Sequence, residues 1–238
     1  MFAETLGNMF ALAEFCYDRN DRHKIRQRPV IAPDPRFGRL LSAADWAALP
    51  QAVRARFGRK ARGTATISYV GTVDACMISR TGRLLAHMAR LVGGPLPLSQ
   101  DCAVPAVVTV TEDEATGGQF WVRQYGHHQG FPQVIQSVKR FAGPTGIEEY
   151  LGLGLGIALT LRVAEGVLLF ESDHYFWSVA GIRLRLPRWL APGHLVIGHD
   201  DLGAGRFAFT LDLTHRALGT IITQRCTFTE CLPQGGLQ

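Results

Sequence analysis

The 238-residue chain carries 25 lysines and arginines against 20 acidic residues, for a net charge of +5, and 47% of it is hydrophobic. A chain of that length can bury a full core, so a small scaffold held by disulfides or a metal is excluded as the basis of the fold. Its longest apolar run, bracketed by Glu148, Glu149 and Arg162, falls short of the ~20 residues that a membrane-crossing helix needs.

The five cysteines are scattered and never spaced C-x-x-C, which argues for a reducing, cytoplasmic compartment without a zinc site. The arginines are dispersed rather than striped, and read as a solvated basic surface with no nucleic acid implied. Residues 1–35 are expected to form a helical extension and linker, because "RPVIAPDPR" is punctuated by three prolines. A single α+β domain is expected over residues 36–232.

Within it, "LLSAADWAALPQAVRARF" predicts a short helical pair, with Ser42 as N-cap, Asp45 at the third helical position and Pro50 breaking the run. "RGTATISYV" alternates and is rich in β-branched residues, as a strand does. "TGRLLAHMARLVGG" places Leu84, Leu85, Met88, Leu91 and Val92 on one face of a helix that Gly93 and Gly94 stop.

From residue 103 the hydrophobic period becomes two. "AVPAVVTVTED" and "QFWVRQY" predict a hairpin, followed by "PQVIQSVKRF" and "VLLFESDHYFWSV". "HLVIGHDD", "RFAFTLDLTH" and "TIITQRCTFTE" complete the series. About eight antiparallel strands after a helical third predict a curved sheet or partial β-barrel with the N-terminal helices packed on it.

"EYLGLGLGIALTLRVAEG" lacks the one-three-six glycine spacing of a dinucleotide fingerprint, which argues against a phosphate cradle. As one long strand it would put its leucines on one face and Gly152, Gly154 and Gly156 on the other. That bare face is expected to admit a packed helix, a bent sheet or a bound ligand.

"GQFWVRQY" aligns Trp121, Arg123 and Tyr125, an arginine between two aromatics that can fix an anionic head group or stack structurally. In "FESDHYFW", Glu171, Asp173, Tyr175 and Trp177 would face one way and Phe170, Ser172, His174 and Phe176 the other. His199, Asp200 and Asp201 could ligate a metal, but the glycine turn after them favours backbone hydrogen bonding, and no metal site is expected.

The sequence blocks "RLLSAADWAALPQAVRARF", "ARGTATI", "LLAHMARLVGGPLP", "VPAVVTVT", "FWVRQYG", "SVKRF", "LPRWLAP" and "RFAFTLDL", in that order, resemble an uncharacterised bacterial domain-of-unknown-function family, DUF4166. The resemblance covers roughly residues 36 to 230 and implies Trp121, Arg123, Ser137, Pro187, Trp189 and Pro192 as shared positions. Members stand alone or are fused after saccharopine-dehydrogenase-like or short-chain-reductase-like proteins. It brings no activity, and it implies an NAD(P)-dependent reductase as a partner.

The leading expectation is a binding domain for a small hydrophobic, acidic molecule, without a cofactor and without a membrane span. Its ligand residues would be Trp121, Arg123, Tyr125, Ser137, Gly152, Gly154, Gly156, Tyr175 and Trp177. The alternatives are a cofactor-free isomerase, cyclase or dehydratase using Glu171, Asp173 and His174, and a docking module for a reductase.

Overall fold

The computed structural model describes residues 30–231 apart from positions 64 and 181, so residues 1–29 of the helical extension and linker expected over 1–35 lie outside the described residues. The segment at 30–35, read as the end of a linker, belongs to the folded domain. Val30–Pro33 forms strand β1, which pairs antiparallel with β2, Arg59–Arg62. Between them lie helices α1, Ala43–Ala48, and α2, Gln51–Phe57, broken at Pro50 as the sequence predicts. Ser42 caps α1 by accepting the Asp45 amide at 3.0 Å and donating its hydroxyl to the Asp45 carboxylate at 2.7 Å.

The remaining strands are β3 (Thr66–Ile78), β4 (Val104–Asp113), β5 (Gly118–Tyr125), β6 (Gln133–Arg140), β7 (Ile147–Gly152) and β8 (Leu155–Ala164). They continue with β9 (Val167–Val179), β10 (Ile182–Arg185), β11 (His194–Gly203), β12 (Arg206–His215) and β13 (Gly219–Cys231). Each pairs antiparallel with its successor along the chain, except that β10 joins β9 alone and β9 also pairs with β11. β13 returns to pair with β3, so ten strands close into a ring, and the expectation of a partial barrel of about eight strands in an α+β fold is corrected. Closure satisfies the ladder groups that an open sheet would leave on its two edges.

Alternation decides what points inward. On β4, Val104, Ala106, Val108 and Val110 are buried in the barrel, with less buried residues between them. One end of the barrel is plugged by the N-terminal segment. Phe37 and Phe57 are almost fully buried, and both rings contact Phe170 of β9. Arg36 fixes the plug to the wall by donating to Asp34 and to Glu112 of β4 while lying over the Phe141 ring.

Helix α3, Arg80–Ala89, crosses the other end, continued by a 3-10 turn at Arg90–Val92. It does not bury the face that its periodicity singles out. Gly82 and Ala86 are the buried positions, whereas Leu84, Met88 and Leu91 are exposed. The cause is backbone contact: a Cβ on Gly82 would lie 2.2 Å from the Ile221 carbonyl oxygen of β13, so the helix docks through its smallest residues.

The glycine run is not one strand. β7 ends at Gly152, Leu153 and Gly154 turn the chain with φ of 47° and 80°, and β8 starts at Leu155. Two consecutive positive φ values make the tight hairpin reversal that suits strand twist, and Gly154 adopts its value without strain. The expected bare strand face therefore does not exist.

Candidate functional site

Between the plugged end and α3 the barrel encloses a cavity of about 480 Å³. Leu151, Leu155 and Ile157 from the β7–β8 hairpin, with Leu195, Phe209 and Leu213 from β11 and β12, give it apolar walls. Leu85, Met88 and Val92 of α3 and its following turn cover it. Arg123, Ser137, Glu149 and Gln224 supply polar groups, with Tyr125 and Tyr175 beside them. A hollow that is mostly greasy with a few convergent polar groups is the usual make-up of a small-molecule site.

The polar groups form one buried network. The register sets Lys139 of β6 directly opposite Glu149 of β7 and Ser137 opposite Trp121 of β5. Lys139 donates to Glu149 at 2.7 Å, Ser137 donates to the other carboxylate oxygen at 2.5 Å, and Arg123 donates to that oxygen at 3.1 Å and to Ser137 at 3.2 Å. All four side chains are buried. Burial alone would raise the Glu149 carboxyl, but the charges of Lys139 and Arg123 and the hydrogen bonds they and Ser137 make overcome it and hold it down to about 2. Burial lowers Lys139, and the ionised Glu149 opposes that shift. Two basic side chains, Arg123 and Lys139, thus share the one carboxylate of Glu149 inside the barrel.

His199 of β11 lies deeper, edge-on to Phe57, Phe170 and Phe209 at 4.9–5.7 Å between ring centroids. Burial, reinforced by the charges of Arg56, Lys139 and Arg123, pushes its pKa well below 6.5, so it is a neutral imidazole at pH 7. Among the described residues no group of three or more His, Cys, Asp or Glu is arranged to hold a metal ion.

The structure sorts the residues singled out from sequence into three places. Arg123, Tyr125, Ser137, Tyr175 and Trp177 line the cavity, and Trp121 is buried just beneath, its ring 4.9 Å from the Lys139 ammonium. Gly152, Gly154 and Gly156 do not line it. A Cβ on Gly152 would meet the Val92 carbonyl oxygen, and one on Gly156 would enter the Phe176 ring, so these glycines serve close packing at the hairpin.

Glu171, Asp173 and His174 form the third set, on the outside of the wall. Glu171 pairs with Arg162, and Asp173 accepts from His174 at 2.6 Å, 44% of its side chain being exposed. The alternation expected through "FESDHYFW" fails at a bulge. Ser172 pairs with Leu159 and His174 with Ala158, which leaves Asp173 as the extra residue. The parity reverses there, so Tyr175 and Trp177 point inward while Glu171 points out. Glu149, Lys139, Gln224 and His199 were not singled out as ligand residues, although inward parity on β6, "QVIQSVKR", aligns Lys139 with Ser137.

A closed antiparallel barrel around an apolar hollow belongs to the class of architecture that holds small ligands within its wall. The chain belongs to the family described as Domain of unknown function (DUF4166), whose model matches residues 49–228, from the end of α1 into β13. Neither the curated proteins nor the solved structures contain a match to it. No helix among the described residues is long and apolar enough to cross a membrane.

Proposed function

We propose that the barrel binds a small hydrophobic molecule whose single anionic head group meets Arg123. The observation that carries this reading is a buried guanidinium, Arg123, on the wall of a greasy cavity, where it shares the carboxylate of Glu149 with Lys139 behind the wall. A guanidinium has five N–H donors in a planar fork, and only part of that fork is turned to Ser137 and Glu149. A carboxylate on an apolar body would take the remainder, while its chain would lie along Leu155, Ile157 and Leu213. Tyr175 and Trp177 would flank that body, and Tyr125 would border the head group.

The test is thermal unfolding of the purified chain with long-chain carboxylic acids and with their methyl esters. An acid at about a hundred times its Kd should stabilise by about 2.7 kcal/mol, which raises Tm by roughly 5–10 °C in a domain of this size. Arg123→Lys should weaken the acid about tenfold or more and leave the ester unchanged, since a hydrogen bond between charged groups contributes about 1.5–3 kcal/mol. No shift with any acid, or equal shifts with acid and ester, refutes the proposal.

A further inference from the structure

Three features meet where the cavity reaches solvent. Met88 of α3, Trp177 of β9 and Leu190 all line the cavity, and they are 60%, 47% and 54% exposed, so they mark its mouth. Leu84 on α3 and Leu91 in the 3-10 turn after it stand at i−4 and i+3 from Met88, extending an apolar stripe that the Gly82 contact with β13 turns outward. A stripe of that kind is normally buried, and an exposed one marks an interaction surface.

The opposite lip is built by an excursion in the barrel wall. Leu186 donates its amide to the Tyr175 carbonyl, and Leu195 donates its amide to the Ser172 hydroxyl, at 2.8 and 2.9 Å. Residues 187–193, "PRWLAPG", between β10 and β11, have no partner strand, and Trp189 within them is 81% exposed.

Charge follows the same boundary. The two segments that form the lips, residues 79–100 and 180–198, contain arginines and no aspartate or glutamate. Arg80, Arg83 and Arg90 flank the α3 stripe, and Arg185 and Arg188 flank the excursion, all exposed. Arg185 reaches Asp173 only at 3.9 Å.

We infer that this rim docks on an anionic lipid surface, from which the hydrophobic ligand enters and to which it returns. Tryptophan and leucine with arginine around them match the interfacial zone of a bilayer, where apolar rings bury and basic side chains reach lipid headgroups. A protein partner would need no opening into the cavity at the centre of the patch, whereas a bilayer supplies the greasy molecule at that opening. The inference takes its purpose from the ligand reading above, but docking itself is measured without any added ligand.

The experiment is co-sedimentation of the full chain with vesicles of phosphatidylcholine alone and with about a third phosphatidylglycerol. Binding is expected to the anionic vesicles only, with loss at high salt and a blue shift of tryptophan emission that Trp189→Phe diminishes. Arg83→Gln with Arg90→Gln should weaken it about fivefold per arginine, and Leu84→Glu with Leu91→Glu should abolish it at unchanged Tm.

No association with anionic vesicles overturns the inference and assigns the rim to a protein. Association indifferent to both double variants overturns it as well. A titration of a fluorescent long-chain acid in the absence of vesicles separates the two claims. Acid binding without vesicle binding sinks the docking alone, and vesicle binding without acid binding sinks the ligand assignment while docking stands.

Discussion

The two ends of the barrel are built from the same kinds of residue and packed in opposite ways. At the plugged end, Phe37, Val53 and Phe57 fill the interior until their side chains vanish from the surface, with Phe37 and Phe57 meeting edge to face at 5.1 Å. At the α3 end the helix rests on a glycine and an alanine, its larger residues stand over a hollow or in solvent, and about 480 Å³ is left unfilled. The chain has filled one end with buried rings and left the other hollow. Stability and the capacity to hold a guest are thereby divided between two ends joined by the layer of His199 and Lys139.

The sharpest way to break that contrast is a truncation at the plugged end. Phe57→Ala should cost about 3–5 kcal/mol in chemical denaturation, because it opens a hole among rings that cannot collapse. An intermediate effect tests the polar layer between the two ends. His199 has a folded pKa below its unfolded value, so the unfolded chain takes up the proton first as pH falls below 6.5 and stability declines.

The decline should be about 0.7 kcal/mol per pH unit at pH 6.5 and approach about 1.4 roughly one unit lower. Glu149, held at about 2 against 4.5, adds its own loss between about pH 5 and pH 2. Urea midpoints between pH 7 and pH 3 measure both, and His199→Phe should flatten the upper part alone. The smallest effect sharpens the open end: Leu84→Ser should change stability by no more than about 0.5 kcal/mol, since its side chain already faces water.

Much of this was legible before any coordinates. Period-two alternation carried β9 and β12 to their observed limits, and it set Trp121, Arg123 and Tyr125 on one side of β5, which the register turned inward. Three things were not legible. The bulge at Asp173 leaves no mark in composition, yet it reverses every orientation after it. The turn at Leu153 and Gly154 was hidden because leucines flank it on both sides, so the alternation runs on through a reversal. The face that α3 buries was misread because amphipathic spacing reports which residues are apolar, not where a close backbone contact lets the helix sit.

The ring is completed by segments that are neighbours in space and strangers in sequence: Thr227 of β13 donates to Asp74 of β3 across 153 residues. Nearly the whole domain must be synthesised before that seam can form, and the loop it closes is among the most entropically expensive the chain makes. Until β13 arrives, β3 and β12 each present a naked row of amides and carbonyls to any other chain nearby. The last strand thus acts as a latch, and a chain that ends before it is left with two adhesive borders in place of a container.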